Sequence, residues 1–526
     1  MLKRKIREIL LSCVQTLPEG HEIERVKDPQ YGDYSSNLPF LLSREKGEGP
    51  KKIGSGLVER LKNFPEFEEV SIGGGGFLNF KYSLDFLLNN LPEVMEPNYG
   101  RLNLGKGKRV LVEYISANPT GPLNIVNARA GVIGHTLVNL LNFTGFIAKR
   151  EYYINDGGVQ IELLLQSLKA RVAQLQGRDV KIPKGGYPGE YLLEIADEIL
   201  KRKIPEKEWK RYLIDRIVGM QKKTLERLGI HFDSWVYESR IRPDNERTLS
   251  LLKEKGLSYE KDGAIWFKST EFGDSKDRVL VKKNGESTYF LTDLSYHRNK
   301  FGRGFEWLID IFGPDHHGDI PRLKGGVEAL GFKGDALKVL IAQHTTFTRG
   351  GKKVSMSKRA GEYVSLDEVL DEIGADALKF FLMMRKASQH LEFDLELAKR
   401  TSKENPVYYV QYAHARIESI LKFAKGFDLK EKPPLSLLRR DEERELVRTL
   451  LEFPDMVEES SLKLEPHQIV YYLLDLATKF HYFYERCRVV SSDRELSTAR
   501  LYLSQCVKRV LRIGLDMIGV SAPERM

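Results

Sequence analysis

Cysteine is nearly absent from this 526-residue chain: Cys13, Cys487 and Cys506 stand far apart and form no Cys-x-x-Cys pair. That spacing supports neither a disulfide framework nor a zinc site, so each is expected as a small buried hydrophobe. Long apolar runs are missing too. None approaches the roughly 18 to 20 residues that a membrane span requires, and Met1-Leu2-Lys3-Arg4-Lys5-Ile6-Arg7 runs into an amphipathic pattern with Glu8, not into a signal peptide. No membrane partner and a cytoplasmic location are expected. Internal repeats and low-complexity tracts are also lacking. What the chain has in excess is positive charge, a net +9, which favours a polyanionic partner through counterion release, although basic proteins without nucleic-acid ligands are common.

With 41% apolar and 30% charged residues the composition is that of a folded protein, and the length exceeds what one core fills, so about three or four domains are expected. Residues 1–105 read as a small α+β domain, from the helical spacing of Ile6, Ile9, Leu10 and Val14 to the turn Gly73-Gly74-Gly75-Gly76 before Phe77-Leu78-Asn79-Phe80. A link rich in turn residues (Pro97, Gly100, Gly105, Gly107) precedes the strand Arg109–Tyr114, where a second domain, 106–350, begins. That strand, the loop Asn118–Leu123 and the helix carrying Ile125, Val132, Ile133, Leu137, Leu140 and Leu141 make a βα unit, whose helix N-terminus suits phosphate in a doubly wound parallel sheet. The charged stretch 165–260 reads as a helical insertion. Runs at 264–267, 279–281, 307–312 and 339–341 read as the second half of the sheet. Residues 351–385 read as a loop with connecting helices; strand signals vanish beyond about 365, and 386–526 read as a helical bundle.

After the pair Gly350-Gly351 comes Lys353-Val354-Ser355-Met356-Ser357-Lys358-Arg359-Ala360-Gly361. Cations and hydroxyls packed this closely can grip a polyphosphate with charge-assisted and directed hydrogen bonds. Alone, the stretch is equally a solvated basic turn. The pair His316-His317 has no third ligand at plausible spacing, so no protein-bound metal is expected.

Taken in order, Glu113-Tyr114-Ile115-Ser116-Ala117-Asn118-Pro119-Thr120-Gly121-Pro122-Leu123, Gly313-Pro314-Asp315-His316-His317-Gly318 and Val354-Ser355-Met356-Ser357-Lys358-Arg359 resemble the active-site segments of class I aminoacyl-tRNA synthetases, and most closely the arginyl-tRNA synthetase family. The resemblance continues through Glu151–Asp156, Asp277–Val279, Tyr289–Asp293, Gly374–Ala377, Asn405–Arg416 and Ala522–Met526. Each motif is weak, but so many in the right order make a chance match very improbable. The resemblance implies a multidomain α/β architecture: a Rossmann-like parallel-sheet catalytic domain with insertions, an N-terminal α+β domain that meets the tRNA elbow, and a C-terminal all-α anticodon-binding bundle. It implies ligation of L-arginine to its tRNA through an arginyl-adenylate, with magnesium carried on ATP, no zinc, and a monomer.

Residue by residue, the resemblance implies that Pro119, Thr120, Gly121, Asn124, Asn127, Gly313, Asp315, His317, Gly318, Met356, Ser357 and Lys358 bind ATP, with Lys358, Asn124 and Asn127 catalytic. Glu113, Ser116, Asn118, Tyr289, Asp293 and His316 bind arginine. Tyr289 and Asp293 would meet the guanidinium, which presents five donors in a planar fork and needs acceptors. In the bundle, Tyr409, Tyr412, Arg416, Tyr484 and Arg488 would bind tRNA by stacking and phosphate contact, although about half of the aromatic and basic groups interleaved there are expected to be packing residues. The chain departs from the pattern where the family places His-x-Gly-His, reading Asn124-Ile125-Val126-Asn127. An amide can donate to phosphate but carries no charge, which opens the alternative of a catalytically impaired, tRNA-binding or regulatory relative. Ser355 likewise replaces the first lysine of the usual Lys-Met-Ser-Lys, and Lys352, Lys353 or Arg359 could supply that charge.

Overall fold

The computed structural model describes residues 1–26, 28–354, 365–427 and 433–526. The N-terminal region is a four-stranded antiparallel sheet, β1 (Ile23–Arg25), β2 (Tyr34–Ser36), β3 (Phe67–Gly73) and β4 (Phe77–Tyr82), in the order β1-β2-β4-β3. Helices Leu2–Cys13, Leu38–Lys46 and Pro50–Leu61 accompany it; the first buries Leu2, Ile6, Ile9 and Leu10 at helical spacing.

Next come β5 (Arg109–Glu113), β6 (Ile147–Ile154) and β7 (Ser234–Tyr237), then β8 (Ser258–Lys261), β9 (Ala264–Phe267) and β10 (Arg278–Val281), and finally β11 (Trp307–Phe312) and β12 (Leu337–Ile341). The central sheet is parallel, in the order β12-β11-β5-β6-β7. Its middle strand, Arg-Val-Leu-Val-Glu, is buried in four of five positions, as a strand covered by helices on both faces must be. Strand order reverses between β5 and β11. A crevice therefore opens at their carboxyl ends, where ligands settle in such sheets.

The secondary structure departs from the sequence reading in three places. The stretch 165–260, read as wholly helical, also contributes β7 to the central sheet. Ser-Trp-Val-Tyr is a half-exposed edge strand of four residues, too short to give a period against charged helices. Before it, helices Gly158–Leu175, Tyr191–Arg202 and Trp209–Arg227 enclose a core of their own, with Leu164, Leu192, Ile195 and Leu213. Second, the runs at 264–267 and 279–281 lie in a separate antiparallel sheet, β10-β9-β8, because the links between these strands are too short for parallel crossovers. Third, strands continue past 365. With β13 (Thr345–Arg349) and β14 (Lys352–Lys353), β15 (Leu391–Asp394) makes a small sheet in which β13 and β15 are parallel.

Helices Pro406–Phe423, Asp441–Lys463, His467–Arg486 and Arg494–Met517 form the C-terminal bundle. At the three-way junction the Phe453 ring meets Tyr99 of the linker, Phe143 at the end of the helix Ile125–Phe143 and Tyr472 of the bundle, at 6.0, 6.5 and 5.4 Å between centroids. Gly100, at φ +78°, is fixed there: a Cβ would lie 2.4 Å from the Phe453 ring. Among the described residues no helix is long and apolar enough to cross a membrane.

Candidate functional site

At the end of β5 the backbone turns through two positive φ values, Ile115 at +68° and Ser116 at +41°. For a β-branched residue this is strained, so something must hold it. Ser116 Oγ donates to Glu113 Oε1 at 2.8 Å and accepts from the Tyr153 amide at 3.1 Å. The Tyr152 hydroxyl accepts from the Ala117 amide at 3.2 Å, and the buried Gln221 Nε2 donates to the Gly121 carbonyl at 3.0 Å. The Tyr191 hydroxyl donates to the Thr120 carbonyl at 2.7 Å. Gln221 and Tyr191 both come from the helices between β6 and β7, so that segment buttresses the loop.

The loop delivers the chain to the helix Ile125–Phe143, and here Asn124 and Asn127 form a reciprocal cap. Asn124 Oδ1 accepts from the Asn127 amide at 3.1 Å, and Asn127 Oδ1 accepts from the Asn124 amide at 3.2 Å. Each side chain thus gives its oxygen to the backbone. Its Nδ2, with no acceptor among the described residues, remains a donor at the positive end of the helix. Asn124 also pairs with Ser365 as an isolated bridge, and Leu366 N donates to the Leu123 carbonyl at 3.1 Å. Met356, Ser357 and Lys358 lie outside the described residues, but the chain that follows them is tied to this helix start.

A cavity of about 540 Å³ lies in the crevice between β5 and β11. Of the expected site residues Glu113, Ser116, Asn118, Thr120, Asn124, Asn127, Asp293, Gly313 and His316 line it. Pro119 and Gly121 are buried in the loop behind it. The others stand apart. Tyr289 is 58% exposed, its hydroxyl 2.6 Å from where a Cβ on Gly158 would sit. Asp315 and Gly318 are exposed on the turn Pro314–Asp319. His317 lines a second cavity, beside Lys338, Arg385 and Lys463.

Beneath the cavity runs a chain of charges that the sequence reading missed. Lys300, fully buried, donates to Glu113 Oε2 at 2.6 Å and to Asp310 Oδ1 at 2.8 Å. Burial alone would lower its pKa, but the carboxylates of Asp310, Glu113 and Glu151 hold it above the ordinary lysine value. Asp310 Oδ2 meets His297 Nε2 at 2.7 Å, and His297 Nδ1 meets the Asp293 carbonyl at 2.8 Å. The one available signal was the spacing of Asp293, His297 and Lys300 along one face of the helix Tyr289–Gly302.

Asp293 itself is different. Its carboxylate has no hydrogen-bond donor and no ion pair among the described residues, yet it faces the cavity. Burial pushes its pKa up to about 7; His297 and Arg322 oppose this, and Glu113 and Glu238 add to it. An acceptor left bare at such a cost is poised for a cation. Among the described residues no group of three His, Cys, Asp or Glu is placed to hold a metal ion.

In the bundle a groove of about 960 Å³ is lined by Tyr412, Arg416, Tyr484 and Arg488. The Arg416 guanidinium lies over both the Tyr412 and Tyr484 rings, at 4.6 and 4.7 Å, and Phe423 beside it is 80% exposed. Tyr409 is outside the groove, packed on His481 at 4.5 Å. His414 and His481 are buried.

Three family descriptions match successive parts of the chain: "Arginyl tRNA synthetase N terminal domain" over residues 1–82, "tRNA synthetases class I (R), catalytic domain" over 92–395, and "DALR anticodon binding domain" over 410–526. A protein of Desulforudis audaxviator named arginine–tRNA ligase is 44% identical over 527 residues, covering 96% of this chain and 93% of the relative. One of the same name from Syntrophotalea carbinolica is 40% identical, covering 100% and 99%. The solved Thermus thermophilus arginyl-tRNA synthetase is 24% identical and shares the fold over 100% of both chains with a TM-score of 0.82. A catalytic-domain match over more than half of the chain, with relatives this similar along nearly their whole length, means that the chain belongs to the arginyl-tRNA synthetase family.

Proposed function

We propose that this protein joins L-arginine to its cognate tRNA at the expense of ATP. The arginine carboxylate attacks the α-phosphate to give arginyl-adenylate and pyrophosphate, and a terminal ribose hydroxyl of the tRNA then takes the arginyl group and releases AMP. Relatives spanning the whole chain carry the name of this activity. The single observation that carries the reading is the unpaired Asp293 carboxylate facing a cavity at the switch point of the sheet.

In this reading the guanidinium settles on Asp293, while Glu113, Ser116 and Asn118 hold the amino-acid end with His316 nearby. Tyr289, exposed outside the cavity, would have to turn toward the substrate to meet it. Pro119, Thr120, Gly121, Gly313, Asp315, His317 and Gly318 would shape the nucleotide site around the Nδ2 donors of Asn124 and Asn127, and magnesium would come with ATP as part of the substrate. Such a reaction asks the protein for alignment and charge neutralisation more than for covalent participation. No observation favours an impaired relative, and the amide cap leaves the Nδ2 groups of Asn124 and Asn127 as donors at the helix start. Tyr412, Arg416, Tyr484 and Arg488 would receive unpaired tRNA bases and phosphates, with Tyr409 behind them. A single copy in the cytoplasm completes the proposal.

Charging of total tRNA with each amino acid in turn tests it: arginine alone should be attached, and attachment of another amino acid, or of none, overturns it. Changing both Asn124 and Asn127 to alanine removes two caps and two phosphate donors together. Since one cap contributes about 1 kcal/mol, we expect a lower unfolding temperature and a roughly tenfold loss in kcat/KM for ATP. A stability loss with unchanged kinetics would leave the pair only a capping role.

A further inference from the structure

His297 is 3% exposed, and Lys300 and Asp310 are fully buried. Both ring nitrogens of His297 face atoms that act as acceptors: Nδ1 the Asp293 carbonyl oxygen at 2.8 Å, Nε2 the Asp310 carboxylate at 2.7 Å. A neutral imidazole has one N–H and can satisfy only one of them. Asp310 would have to carry a proton to donate in return, and Lys300 Nζ, 2.8 Å from its other oxygen, opposes that. The arrangement is satisfied when the ring carries a proton on each nitrogen. That places a cation one helical turn from Asp293, in a setting that otherwise presents Glu113 from β5, Glu151 and Tyr153 from β6, Glu238 from the short helix Glu238–Ile241, Arg322 from the helix Ile320–Ala329, and Tyr296 and Lys300 from its own helix.

We propose that His297 is a positioning residue, held as an imidazolium between Asp310 and the Asp293 carbonyl, whose charge keeps the Asp293 carboxylate ionised and ready for the cationic end of the substrate. The inference rests on the arginine reading above and adds to it the group that tunes the pocket. Asp293 already sits near the edge of ionisation, with burial pushing its pKa up to about 7. Below that pH the carboxyl is protonated in the empty site and binds a guanidinium poorly, so kcat/KM for arginine falls as pH drops, roughly tenfold from pH 8 to pH 6. Without the imidazolium the carboxyl holds its proton to higher pH, so the fall begins earlier.

The test is the pH profile of kcat/KM for arginine in tRNA charging, for the parent, His297→Gln and Asp310→Asn, with thermal unfolding of each. Glutamine keeps one donor toward Asp310 but cannot carry charge, and asparagine keeps the volume of Asp310 while removing the anion that holds the ring protonated. We expect the acid limb of both variants to move about one pH unit or more to the alkaline side, with kcat at saturating arginine and pH 9 within about twofold of the parent. Should His297→Gln fail to fold, the Asp310→Asn profile decides alone. An acid limb at the parent's position, or an activity loss equal at every pH, overturns the proposal and leaves His297 a packing residue. Failure of the arginine reading would show separately, as a parent that charges no tRNA with arginine.

Discussion

Asp293→Ala should lower kcat/KM for arginine by about 30- to 1,000-fold, the equivalent of about 2–4 kcal/mol in transition-state binding. In the proposed reading the guanidinium brings its positive charge into a recessed pocket where Asp293 is the one cavity-lining carboxylate without a donor or ion pair among the described residues; without it, the cation would be desolvated and uncompensated. Glu113 is a poor replacement, because the buried Lys300 ammonium, 2.6 Å from its Oε2, already offsets its charge. The same substitution should leave thermal stability unchanged or slightly higher, since it removes an unpaired, desolvated carboxylate. Steady-state charging beside an unfolding curve checks both halves. If the variant handles arginine as well as the parent, the guanidinium does not bind at Asp293.

The second large effect is expected at Lys358. Its own placement lies outside the described residues, but both flanks are anchored, the second of them at the start of the helix Ile125–Phe143. On one side Val354 N donates to the Phe347 carbonyl at 2.9 Å. On the other, Ser365 bridges to Asn124 and caps the helix Leu366–Leu382. In the proposed reading Lys358 meets the departing pyrophosphate, whose charge grows in the transition state. Lys358→Ala should therefore lower kcat by about 100- to 1,000-fold, with a much smaller change in KM for ATP. The reverse pattern, an unchanged kcat with weakened ATP binding, would remove Lys358 from that role. Rapid-quench measurement of adenylate formation in the presence of tRNA separates the two.

The sequence by itself determined the order of the chemistry. Composition argued against a membrane span and a cysteine-based metal site, the apolar period separated most strand-bearing from helical regions, and Glu113, Asn124 and Asp293, which line one cavity, could be picked out as candidates because short motifs keep their spacing along the chain. Short elements were not. β7 and β15 are four residues each, and hydrogen bonds to neighbouring strands place them where a two-residue period cannot. Only the tertiary structure decided that Lys300 and Asp310 lie under Glu113, because that contact is set by the parallel register of β5 and β11, in which Asp310 stands opposite Glu113. It also decided that Asn124 and Asn127 cap one another, that Gln221 and Tyr191 shape the loop from a segment far along the chain, and that Tyr289 lies outside the cavity while Asp293, one turn on, faces it. Spacing along one helix could propose that Tyr289 and Asp293 act together. Which side chain is desolvated, and which carboxylate is left without a partner, depends on what the rest of the chain packs against it, and that is not written in any local stretch of sequence.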